Sequence, residues 1–72
     1  MIWFLERNHD LMICEIRGAA DGRAYEYEVA PSQGPAQTRT FSSPTELIDT
    51  YLRTQTALRV QGWRPRLEDI GV

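Results

Sequence analysis

The side chains best suited to chemistry in this chain are His9, Asp10 and Cys14, followed by Glu15, Glu26 and Glu28. A cysteine nucleophile needs an imidazole within hydrogen-bond reach to take its proton. His9 and Asp10 belong to the turn-prone run Asn8-His9-Asp10, whereas Cys14 lies several residues into the strand-like stretch 11–17 and points toward the expected core. A thiol buried in apolar surroundings holds its proton and reacts slowly. Cys14 therefore reads as structural and His9 as a turn residue. Paired carboxylates serve acid–base chemistry or bind a hard cation only in a concave, partly desolvated setting. Glu15, Glu26 and Glu28 share an open sheet face, so they read as solvated, with Arg17 and Arg23 as counter-charges. There is no phosphate-cradling glycine loop, no serine elbow and no metal-ligand spacing. No catalytic residue, cofactor or metal is expected, and the chain reads as a non-enzyme.

The elements that must hold these residues follow from local patterning. Residues 2–7 and 11–17 are strand formers separated by the Asn8-His9-Asp10 turn, and the Asp21-Gly22 step after them is a strong hairpin signal. In residues 23–30, Tyr25, Tyr27 and Val29 alternate with Glu26 and Glu28, the period of a half-buried strand. The run Pro31-Ser32-Gln33-Gly34-Pro35-Ala36 is a loop, and residues 37–41 suit a short fourth, exposed edge strand. Ser43-Pro44-Thr45-Glu46 is a capping box with proline at the first helical position, and Gly62 is a left-handed stop. A helix is thus predicted over residues 44–61, with Trp63 folding back on Leu58. The fold class is α+β: an antiparallel three- to four-stranded meander followed by one C-terminal amphipathic helix packed on one sheet face. Residues 1–65 form the single domain, and 66–72 form a tail with no clear element.

Which faces are apolar decides what the protein can bind. Helical rotation gathers Leu47, Ile48, Tyr51, Leu52 and Leu58 within an arc of roughly 140°, with Gln55 in mid-stripe and no evident partner. If Asp21-Gly22 centres the hairpin, Ile16 lies opposite Tyr27 and Cys14 opposite Val29. Met12, Cys14, Ile16, Tyr25, Tyr27 and Val29 then form the face on which the helix docks. The reverse face carries Glu15, Arg17, Glu26 and Glu28, but also Leu11 and Ile13. The first strand is apolar on both sides, Ile2 and Phe4 on one and Trp3 and Leu5 on the other, and a strand of that kind usually has both faces buried. One helix about 10 Å wide covers only one of them. A contact surface is therefore expected around the first strand, with Trp3, Leu5, Leu11 and Ile13 as candidate interface residues and a second copy or another protein as partner.

Composition supports that reading. With 42% hydrophobic and 25% charged residues the chain is ordinary for a globular protein, and 72 residues make a small core. Such domains recruit disulfides, metals or oligomerisation. A single cysteine excludes an internal disulfide and suits a reducing cytoplasm, which leaves oligomerisation. All eight basic residues are arginine, as expected for a GC-rich, bacterial genome. The net charge of −2 argues against a general affinity for nucleic acid or anionic lipid, and no segment is apolar enough to span a membrane. A second candidate is the basic–aromatic patch of Arg59, Trp63, Arg64 and Arg66, which would stack a base or grip phosphate. Against it, cations favour helix C-termini and Trp63 is the expected cap contact.

The order of elements, together with Gly62-Trp63-Arg64-Pro65-Arg66, resembles in outline the MbtH-like accessory proteins of peptide synthetases. That family's Asn-Pro-Phe opening and its Ser-Leu-Trp-Pro stretch have no counterpart here. The resemblance implies only that such a fold can serve as a small partner-binding accessory.

Overall fold

The computed structural model describes residues 1–66; the expectation of a tail without a clear element therefore lies, from residue 67 onward, outside the described residues. Strands β1 (Ile2–Arg7), β2 (Asp10–Gly18), β3 (Tyr25–Pro31) and β4 (Gln37–Phe41) precede helix α1 (Pro44–Val60), and a two-residue strand β5 (Arg64–Pro65) follows it. All pairings are antiparallel, in the order β4-β3-β2-β1-β5. The class is α+β, as the patterning predicts, with the edge strand β4 present. β5 is an addition. After Gly62 reverses the chain, Arg64 comes opposite Glu6 and Pro65 opposite Leu5, so the helix does not end the fold.

The first two hairpins are set by short loops. Arg7 pairs with Asp10 across the two-residue Asn8-His9 turn, where Asn8 adopts φ 56°, a left-handed conformation asparagine tolerates. The second hairpin is centred on Asp21-Gly22: the Gly22 amide donates to Ala19 O (3.0 Å), the Arg23 amide to Asp21 Oδ1 (2.9 Å), and Ala19 pairs with Ala24. Ile16 consequently faces Tyr27 and Cys14 faces Val29, the predicted register.

The helix ends fall where the sequence places them, with one half of the capping box formed: among the described residues the Glu46 carboxylate makes no return bond to the Ser43 amide. Ser43 Oγ accepts from the Glu46 amide at 3.4 Å, and Pro44 opens the first turn. At the other end Gly62 (φ 102°) permits the paired bonds Gly62 N→Arg59 O and Trp63 N→Leu58 O, each 3.0 Å, of a Schellman stop. Trp63 then packs with Leu58, Leu5, Met12 and Cys14 in one part of the core, while Tyr27, Phe41 and Leu47 form the other.

The helix is turned relative to the arc expected from its apolar residues. Its inward positions are Leu47, Thr50, Tyr51, Thr54, Gln55 and Leu58, and Ile48 and Leu52 are each 56% exposed. At 100° per residue this is a rotation of roughly 60°. Centring the stripe on Ile48 and Tyr51 would drive the Gln55 amide into the middle of the core. In the observed orientation it lies on the flank, where Oε1 accepts from Trp3 Nε1 (3.3 Å) and Nε2 donates to Tyr27 Oη (2.9 Å). The polar bridge and the Trp3–Tyr27–Tyr51 aromatic cluster, with ring centroids 5.5–6.2 Å apart, join helix to sheet.

Candidate functional site

The helix-free side of the sheet carries exposed apolar side chains, but not the set expected from the sequence. Trp3 and Leu5 are not among those side chains: the Asn8-His9 turn sets Trp3 opposite Cys14 and Leu5 opposite Met12, which places both under the helix, and Leu5 is only 5% exposed. Alternation alone gave no choice between the two sides of this strand, because both are apolar. The loop length supplied the missing parity, and counting back from Arg7–Asp10 would have found it. Ile2 and Phe4 therefore face away from the helix. Phe4 lies opposite Ile13, and Ile13 opposite Ala30, giving an apolar row across three strands. Leu11 and Ile13 lie on this helix-free face, as the sequence indicates. Ile2 (55%) and Ile13 (40%) are exposed, and Phe4 and Leu11 are half-buried.

Beside the apolar row on the same face is a compact charge cluster. Arg17 Nε is 2.8 Å from Glu26 Oε1, Nη2 is 3.0 Å from Glu28 Oε1, and Nη1 is 3.0 Å from Glu15 Oε1. The cross-strand pairs Arg17–Glu26 and Glu15–Glu28 put the four groups in contact. Its bonds with Glu28 and Glu26, before that with Glu15, hold the Arg17 guanidinium above its ordinary pKa. Arg17 alone serves as the counter-charge; among the described residues Arg23 makes no ion pair with these acids. One arginine against three carboxylates leaves this corner acidic. No group of three or more His, Cys, Asp or Glu side chains is placed to hold a metal ion among the described residues.

The reactive trio is not brought together. Cys14 is fully buried in the core beneath the helix, whereas His9 sits in the exposed turn. Burial pushes the Cys14 thiol above its usual pKa, only partly opposed by a hydrogen bond from Gln55. That environment keeps the sulfur protonated and shielded.

The basic–aromatic patch is also dispersed. Trp63 is buried, and the Arg7 guanidinium lies over its ring at 4.6 Å from the centroid, a face a stacked base would need. Arg7 Nη1 further donates to Gln61 O (3.0 Å). Arg64 Nη1 is directed at Arg59 O (3.2 Å) and Trp63 O (3.3 Å), so its charge sits against carbonyls at the helix C-terminus. Arg59 is exposed in the last helical turn, and the Arg66 amide donates to Phe4 O (3.1 Å), extending the β5 pairing. Trp63 is thus a packing and capping residue whose ring face is taken by Arg7, and Arg64 is turned to carbonyls rather than to a ligand face shared with it.

No helix among the described residues is long and apolar enough to cross a membrane. The chain matches no protein-family model, no curated protein and no solved structure. The outline likeness to the MbtH-like proteins therefore stands on element order and residues 62–66 alone.

Proposed function

We propose that this protein is a small non-catalytic interaction module that associates with a second copy of itself through the helix-free sheet face. The observation that carries the reading is the division of the sheet. The helix and Trp63 close one side, while Ile2, Phe4, Leu11 and Ile13 line the other with no described element over them. An apolar patch bordered by charge is the usual surface of a docking site, and a small core gains stability from association. In a symmetric dimer the same patch serves both partners. A cytoplasmic setting suits the single buried thiol.

Light-scattering mass measurements test the proposal. The chain of 8.3 kDa is expected to show twice that mass, with Ile13→Arg reverting to the monomer while its circular dichroism is unchanged. A wild-type monomer at millimolar concentration would end the self-association reading.

A further inference from the structure

A second surface, independent of the sheet face, is built where β4 meets the helix. β4 is the outer strand of the sheet, with no described segment paired on its free side. The alternation of hydrogen bonds identifies which of its backbone groups are open. Met1 and Ile16 exchange a pair of 2.9 Å bonds, so the even-numbered residues of β2 face β1 and the odd-numbered ones face β3. The bonds Ser32 N→Leu11 O (2.8 Å) and Ala19 N→Ala24 O (2.9 Å) carry the same alternation across the β2–β3 ladder. It follows that Gln37, Arg39 and Phe41 bond to β3, through their partners Val29, Tyr27 and Tyr25. Thr38 and Thr40 turn their N–H and C=O groups outward.

Between this edge and the helix runs a groove of about 490 Å³, with Arg39 on the strand side and Thr50, Arg53, Thr54 and Ala57 on the helix side. It continues past Leu58 into a depression of about 370 Å³ whose walls include Met12, Val29, Pro35 and Gln37. Arg39 stacks on Phe41, 5.3 Å from the ring centroid, and has no carboxylate partner among the described residues. Among the described residues Arg53 pairs only with Asp49, one turn back on the exposed helix surface (2.8 Å). The groove is thus basic at one end and largely apolar at the other.

We propose that the β4 edge receives an extended segment of another polypeptide as an added antiparallel strand, with an acidic side chain opposite Arg39 and an apolar one two residues later. The open groups of Thr38 and Thr40 supply the main-chain bonds of such strand addition, and alternate side chains of the guest enter the groove. A guest residue opposite Arg39 projects to the helix side, into the groove that Arg39 and Arg53 both line. Two positions further along an antiparallel guest lies the residue opposite Gln37, at the apolar depression. An inward-facing cation on an edge strand also discourages self-pairing, because a second β4 brings a second Arg39 to the same seam. The charge that disfavours a second copy selects an acidic guest.

The probe is a blocked hexapeptide, Thr-Thr-Glu-Thr-Leu-Thr, titrated into the isotope-labelled full chain and followed by amide NMR. The expected result is saturable shifts concentrated on residues 37–41 and the 50–57 helix flank, with slowed hydrogen exchange at Thr38 and Thr40. Arg39→Glu should weaken binding at least about tenfold and should restore it for the peptide carrying Lys in place of Glu. Thr40→Pro removes one outward N–H without touching the β3 ladder, so a folded variant that no longer binds supports the assignment. Absence of shifts at millimolar peptide, shifts confined to the outer sheet face, or an Arg39→Glu variant that binds both peptides equally would overturn it.

Discussion

Replacing Gln55 by methionine tests the link between helix and sheet. Methionine keeps the length and most of the volume of the side chain but neither accepts from Trp3 Nε1 nor donates to Tyr27 Oη. The bond to Trp3 is long at 3.3 Å and its indole is half-buried, so its loss should cost about 0.5 kcal/mol. The bond to Tyr27 is 2.9 Å and its hydroxyl belongs to a residue only 3% exposed, so losing it should cost about 1.5 kcal/mol, with Thr54 left as the other side-chain partner of that hydroxyl. The sum, about 2 kcal/mol, is a large share of the roughly 4–11 kcal/mol expected of a domain this size. At about 4–8 °C per kcal/mol it lowers the melting temperature by roughly 8–16 °C. Urea unfolding followed by tryptophan fluorescence gives the free energy directly. In a double-mutant cycle with Tyr27→Phe the coupling should be about 1 kcal/mol, since the second substitution then removes a hydroxyl that has already lost its bond to Gln55. A Gln55→Met protein as stable as the wild type, or a coupling of zero, would refute the idea that this amide fixes the helix orientation.

The remaining predictions concern the helix face, its stop and the buried titrating groups. Leu58→Ala should cost about 2–4 kcal/mol in urea unfolding, whereas Leu52→Ala should change stability by less than about 0.5 kcal/mol; equal losses would mean the helix is turned as its apolar pattern suggests. Gly62→Ala should destabilise by more than about 1 kcal/mol, because φ is 102° and the added Cβ would meet Arg7 Cδ at 3.3 Å; a neutral result contradicts the Schellman stop. Burial raises the pKa of both Cys14 and Tyr27, so the folded state keeps protons that the unfolded chain releases. Their contribution is fully present below the ordinary thiol pKa of about 8.5 and is lost as pH rises through the raised values. The urea midpoint should therefore fall on the alkaline side, beginning at lower pH in the wild type than in Cys14→Ala; a midpoint flat to about pH 10.5 would contradict this.

Much of the architecture was legible in local residue patterns. Asp21-Gly22 gave the β2–β3 register, the Tyr25-Glu26-Tyr27-Glu28-Val29 alternation assigned the faces of β3, and Ser43, Pro44 and Gly62 bounded the helix within one residue. Periodicity failed where both answers were apolar. In β1 neither parity exposes a polar residue until Glu6, so the side facing the helix was decided by the length of a turn. Trp3 and Leu5 went inward, and Ile2 and Phe4 outward. In the helix, Ile48 and Leu52 were drawn into the expected stripe by hydrophobicity. In the observed stripe Gln55 meets partners in β1 and β3, far away in sequence, which no local pattern reveals. β5 was invisible for a related reason: two residues of Arg-Pro carry no strand pattern, and their pairing depends on where Gly62 redirects the chain. The basic–aromatic patch dissolved because Arg7, remote in sequence, occupies the Trp63 ring face.

The most direct test of a sheet shielded on one side and paired on the other is an isotope-filtered NMR experiment on a mixture of labelled and unlabelled chains. Intermolecular contacts should arise from the Phe4 ring and the methyl groups of Ile2 and Ile13, reciprocally in both copies. Intermolecular contacts confined to the Ile48 and Leu52 flank of the helix, or none at millimolar concentration, would contradict the account.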